Sequence, residues 1–186
     1  MGNMLMKIQY IPSVGDTVIA TVHHSSVDSF HCQITPHTAP ATLPHLSFPG
    51  ATKKTRPLLT SGSLVYTRVS LANKHMDPEL ECVNPSTGKA DGLGELKGGM
   101  VFDISLGMAR RLMMPDPAGQ GAVVVLEELA IRLPFEVALG RNGRIWIDAG
   151  SVAKTLVIGR AVVETDQRLL GIDQQRKLVG KLLQAI

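Results

Sequence analysis

From Gly15 to about Pro85 apolar and polar residues alternate with period two, the signature of half-buried strands. In "GDTVIATVHHSS", Val18, Ala20 and Val22 fall on one face and Thr17, Ile19 and Thr21 on the other. "DSFHCQI" and "TLPHLSF" are short strands, and "SGSLVYTRVSLANK" is a long one. In the long strand Val65, Thr67, Val69 and Leu71 oppose Leu64, Tyr66 and Arg68; "PELECVNP" follows as a fifth strand. Five short strands in about 70 residues predict a small closed barrel of the OB type.

The stretch "STGKADGLGELKGG" breaks this pattern with glycine and polar residues, marking a linker or a pair of turns. Its G-x-G is no dinucleotide loop, because neither a strand before it nor a helix after it is present in form. Beyond Met100 the texture becomes mixed. "MVFDIS" reads as a strand and "LGMARRLMM" as a helix stopped by Pro115 and Pro117. "GAVVVLEELAI" is a helix or apolar segment, and "PFEVAL" and "RIWIDA" are strands. "SVAKTLVIGRAVVETD" is a helix capped by Ser151, and "DQQRKLVGKLLQAI" is a final helix. The fold class expected is therefore β followed by α+β, divided into an edge at 1–13, a barrel at 14–86, a linker at 87–99 and an α+β module at 100–186.

The two strands at 135–148 flank G-R-N-G, which has the spelling of the G-x-x-G loop by which KH domains clamp a nucleic-acid backbone. That clamp sits between helices, and here the flanks are strands. Asn-Gly between alternating apolar runs is a strong hairpin signal, and a type I′ turn would place both Asn142 and Gly143 at positive φ. A turn and a clamp both stay open, the clamp because Arg141 and Arg144 lie beside exposed backbone. Between the first two helices, where a clamp belongs, Gly119 and Gly121 are two apart instead of three and Asp116 would repel phosphate. Trp146 points away from Ile145 and Ile147 and needs cover from another domain or helix.

Composition narrows the function classes. The chain has 186 residues, 44% hydrophobic and 19% charged, as in folded proteins. No apolar run approaches the roughly 20 residues that span a bilayer, and the amino-terminal "MGNMLMKIQYIPSVGD" has no signal-peptide core. It reads as a cut edge. Residues 1–98 carry 8 Lys/Arg against 7 Asp/Glu and residues 99–186 carry 11 against 9, so neither half binds nucleic acid by bulk charge. Cys32 and Cys82 read as small buried residues without a disulfide. His23, His24, His31 and Cys32 lack the spacing of a zinc site, so no metal and no cofactor are expected. No nucleophile elbow, phosphate loop or close carboxylate pair marks an enzyme.

"YIPSVGDTVIATV", "LSFPGATKKTRP", "GSLVYTRVSLANK" and "FEVALGRNGRIWI" together resemble the S1/KH cap subunits of the eukaryotic RNA exosome, over residues 10 to about 165. The resemblance implies an S1-type barrel followed by a KH-like domain, without the amino-terminal domain that members usually carry. It implies a non-catalytic subunit that guides single-stranded RNA toward a central channel for 3′→5′ degradation and processing. The partners it implies are RNase PH-like ring subunits and other cap subunits, with neither DNA nor membrane. The location it implies is the nucleus, nucleolus and cytoplasm. In that family the G-x-N-G loop is structural and packs toward the S1 domain, which would give Gly140, Arg141, Asn142, Gly143 and Trp146 an interdomain role. S1 barrels bind RNA through aromatics, a histidine and basic loops. Phe30, His31 and His45 are the weak candidates for stacking or edge contacts here, since Val27 stands where a first aromatic is common. The stronger candidate is "FPGATKKTRP": Lys53, Lys54 and Arg56 fall within four residues, with no acid between Asp28 and Asp77. A pure scaffold and the RNA-binding tail of a phosphorolytic ribonuclease are the alternatives.

Overall fold

In the computed structural model, residues 9–36, 38–114 and 122–184 are described. Pro115, Asp116, Pro117, Gly119 and Gly121 lie outside them, and with them the helix stop and the alternative clamp position.

The amino-terminal half closes as a barrel. Its strands are β1 (Thr17–Ser25), β2 (Ser29–Gln33), β3 (Ala41–Pro44), β4 (Leu64–Asn73) and β5 (Met76–Glu81). They run in the order β1-β2-β3-β5-β4, and β4 pairs back onto β1 to seal the sheet. The closure works because β1 serves two neighbours. Thr17–Thr21 pair with β4 and Thr21–Ser25 with β2, the register shifting between Val22 and His24. A bulge of this kind bends a strand across a barrel corner. Val18, Ala20, Val22, Phe30, Cys32, Leu43, Val65, Val69 and Leu80 fill the interior, which is the alternation expected of β1 and β4. Arg68 stays on the outside of β4, where Nη2 lies 2.8 Å from Glu81 on β5.

The glycine-rich stretch is more than turns. Gly94–Leu96 form β6, paired antiparallel to Leu64–Tyr66. Its composition hid the strand, because three residues are too few to show alternation and the pairing is made by the free edge of β4.

The second half packs β7 (Met100–Asp103), β8 (Glu136–Gly140) and β9 (Arg144–Asp148), in the order β7-β9-β8, against helices. These are α1 (Leu106–Leu112), α2 (Val125–Ala130), α3 (Val152–Gln167) and α4 (Ile172–Leu183). Ser105 and Ser151 cap α1 and α3, each accepting a backbone N–H three residues on. Ile145, Ile147, Met108, Leu129, Ile158, Val162 and Val179 form this core. Gln175, 1% exposed, ties α4 to the entry of α2: Oε1 accepts from Val124 N at 2.8 Å and Nε2 donates to Ala122 O at 3.0 Å and Leu170 O at 2.8 Å.

A third, small cluster joins the halves. Ile19, facing away from the barrel interior, meets Ala138 and Trp146, with Leu64, Tyr66, Leu96 and Val101 around them. Trp146 is thereby buried, and its Nε1 donates to Gly98 O at 2.9 Å.

Candidate nucleic-acid interface

The loop Arg141–Gly143 reverses β8 into β9. Gly143 N donates to Gly140 O at 3.1 Å, and Gly143 alone of the three loop residues has positive φ, +76°. This is a three-residue hairpin, a type I turn ended by a left-handed glycine. The expected I′ turn, with Asn142 also at positive φ, is wrong. The physical reason is the destination of the Asn142 side chain. Its Oδ1 accepts from Ile19 N at 3.2 Å, while Nδ2 donates to Ile19 O at 2.9 Å and Ile34 O at 2.8 Å. The amide satisfies buried backbone groups of the barrel, which must find partners once water is excluded.

Further groups of the loop bond to the rest of the protein, although the Arg141 side chain is half exposed. Arg141 N donates to Thr17 O at 2.8 Å, and Ile104 N donates to Gly143 O at 2.8 Å. Arg144 Nη1 donates to Thr21 Oγ1 at 2.9 Å and Ile19 O at 3.3 Å. Arg141 Nε lies 3.6 Å from Asp16, whose other oxygen accepts from Tyr10 Oη at 2.9 Å. Burial and that carboxylate push the Tyr10 phenol up and keep it neutral. The glycines are steric requirements: a Cβ on Gly140 would collide with Asn142 Oδ1 and reach 2.9 Å from Ile19 N, and one on Gly143 would reach 2.7 Å from Ile104 O. The N–H groups of Arg141 and Gly143 are thus bonded within the protein.

The loop after β3 is built the other way. Thr52 and Thr55 share a 2.8 Å hydroxyl bond, Thr52 Oγ1 accepts from Thr55 N at 3.1 Å and Lys54 N at 3.3 Å, and Thr55 Oγ1 accepts from Thr52 N at 3.1 Å. Two threonines thus satisfy the turn and leave Lys53 and Lys54 exposed. No carboxylate pairs with Lys53, Lys54 or Arg56 among the described residues. Arg56 is exposed but anchored: Nη1 donates to Val27 O at 3.1 Å and to His45 Nδ1 at 2.8 Å.

Phe30 and His45 are not available for stacking bases, and that expectation is corrected. Phe30 is 2% and His45 3% exposed. Their rings pack on each other at 4.3 Å with a 59° tilt, and Phe48 meets Phe30 edge-on. The phase of β2 decides this: Phe30 and Cys32 point inward and His31 outward. His31 stacks instead on His24 of β1, centroids 4.4 Å apart and planes 17° from parallel. The His24 partnership was legible only from the cross-strand register. Burial depresses the His45 pKa, with the Arg56 charge second. Burial pushes the Cys32 thiol up to about 12 and raises Cys82 as well. Among the described residues no three His, Cys, Asp or Glu side chains converge as a metal would require.

Residues 10–94 match the family model of the S1 domain of exosome complex component RRP40, and residues 99–153 match a KH-domain model. The exosome complex component RRP40 of Drosophila melanogaster is 37% identical over 174 residues, 94% of this chain and 71% of that protein. The chain belongs to the RRP40 family. Its Saccharomyces cerevisiae relative of the same name is 37% identical over 160 residues, and its Homo sapiens relative 34% over 178. The chain spans 65% of the yeast protein's length and 61% of the human one's. A crystal structure described as a candidate exosome complex RNA-binding protein superposes with a TM-score of 0.72 at 19% identity, over 95% of this chain and 96% of that one, which speaks to the fold.

Proposed function

We propose that this RRP40-family chain is a non-catalytic, RNA-binding cap subunit of the exosome. In this reading the 50–56 loop of the barrel tracks the phosphates of single-stranded RNA and helps direct it toward the central channel. A nuclease on another subunit then degrades it 3′→5′. RNase PH-like ring subunits and other cap subunits would be its protein partners, in the nucleus, nucleolus and cytoplasm.

One observation carries the proposal: three cations stand on a self-supported loop, none of them paired with a carboxylate among the described residues. Three phosphate contacts on a single strand give a salt slope of about −2. With aromatics at 4% of the chain and Phe30 buried, base stacking is a minor contribution, so little sequence preference is expected. The scaffold reading draws on a different observation. Val27, Leu46 and Leu58 are 82%, 55% and 87% exposed beside the same loop, as at a protein contact.

The test is the affinity of oligo(U) for the chain, alone and reconstituted into an exosome, across a salt series with Lys53→Ala/Lys54→Ala/Arg56→Ala as the comparison. Loss of about two units of slope supports RNA tracking. An unchanged affinity and slope in both settings makes the subunit a scaffold.

A further inference from the structure

We infer that His45 is the positioning residue for Arg56: its unprotonated Nδ1 holds the guanidinium against the β1–β2 turn, so that the remaining N–H donors are aimed outward at a phosphate before RNA arrives. The inference rests on the reading of the 50–56 loop as the RNA contact and adds a mechanism to it.

The hydrogen-bond directions are fixed by chemistry. A guanidinium only donates, so His45 Nδ1, 2.8 Å from Arg56 Nη1, is the acceptor and the ring proton lies on Nε2. Nε2 then donates to Ser25 Oγ at 3.1 Å, and Ser25 Oγ donates onward to Ser26 O at 3.2 Å. The relay starts at an exposed cation and ends on backbone, with the buried imidazole packed against the Phe30 ring. Arg56 Nη1 also donates to Val27 O at 3.1 Å, so one nitrogen of the fork is held at two points. Arginine presents five donors in a rigid plane; fixing one edge leaves the other oriented.

Lys53 and Lys54 have no such anchor among the described residues: the threonines support their backbone, and their side chains are exposed. Arg56 is therefore distinct among the three cations. It contributes a preset direction, and a preset donor avoids the ordering cost that a long side chain otherwise meets on binding. The charged groups facing the imidazole are Arg56 from the basic loop and Asp28 from the β1–β2 turn.

The experiment is a double-variant cycle on oligo(U) affinity and salt slope, using Arg56→Ala, His45→Leu and the pair, with His45→Asn as the conservative variant. Asparagine carries an acceptor close to the position of imidazole Nδ1. His45→Leu is expected to weaken binding about three- to tenfold, the scale of immobilising one long side chain. Arg56→Ala should then cost less in the His45→Leu background than alone, and His45→Asn should restore most of the loss. Losses that simply add, or wild-type affinity in His45→Leu, overturn the positioning role while leaving the RNA site intact. An Arg56→Ala variant with wild-type affinity and slope overturns the site itself at this residue. Should His45→Leu not fold, nitrogen-15 relaxation of Arg56 Nε in the unaltered chain decides: rigid on the nanosecond scale supports the inference, and mobility equal to that of exposed arginines overturns it.

Discussion

Two of the loops that combine glycine with basic residues have opposite fates. Gly140–Arg144 is tied to the barrel: the Asn142 amide, both guanidiniums and the N–H groups of Arg141 and Gly143 find protein partners, and its glycines leave no room for a Cβ. The 50–56 loop is satisfied by its own threonines and keeps its cations outward. Gly50, at φ +65°, has open space around it. The spelling of a clamp is therefore no guide to a clamp. What matters is where the donors go once the chain is folded, and an N–H already bonded inside cannot also hold a phosphate.

The largest effect that would sharpen the contrast is on stability. Asn142→Ala strands Ile19 N and Ile34 O in a buried joint and leaves Ile19 O only the longer bond from Arg144. With unsatisfied buried groups at about 1–3 kcal/mol each, a loss on the order of 3–5 kcal/mol in urea unfolding is expected. Oligo(U) affinity under native conditions should not change. Lost RNA binding at full folding would move the clamp back to this loop.

A smaller effect comes from His45. Its folded pKa lies below the unfolded value of about 6.5, so the unfolded chain takes up the proton first as pH falls. The stability it contributes is present above about pH 6.5 and declines as pH drops toward the folded pKa. Thermal melts between pH 7.5 and 5 should show this decline, and it should be weaker in His45→Asn. An equal decline in the variant assigns it to other groups.

Smaller still, Lys53→Ala and Lys54→Ala should each leave stability within about 0.5 kcal/mol, as surface substitutions do. Each should take about 0.7 from the salt slope. A melting shift of many degrees would mean that these lysines hold structure. At the bottom of the scale, Cys32 and Cys82 should resist a thiol reagent at pH 8 in the native state, because burial keeps both as thiols. Rapid labelling without unfolding contradicts the closed barrel core.

Much of the fold could be read from local pattern, because period-two alternation reports a half-buried strand directly. Thus Val18, Ala20 and Val22, and Val65 and Val69, face the core as written. What failed depended on phase or distance. "DSFHCQI" announced a strand but not which face Phe30 would take, so a core aromatic passed for a stacking platform. Asn-Gly announced a reversal, yet Asn142 bonds partners 123 and 108 residues away, and those bonds choose the turn type. His45 and Arg56 are 11 residues apart on different elements, and nothing in their spacing says that one holds the other. The basic triad was legible because its charges lack acids nearby in sequence: none lies between Asp28 and Asp77.

The most direct trial of the contrast is a backbone-amide NMR titration of the chain with oligo(U) at low salt. The expected result is saturable shifts across 50–57 and at the β1–β2 turn beside Arg56, with 140–144 unmoved. Saturable shifts centred on 140–144, with 50–57 silent, would contradict the account.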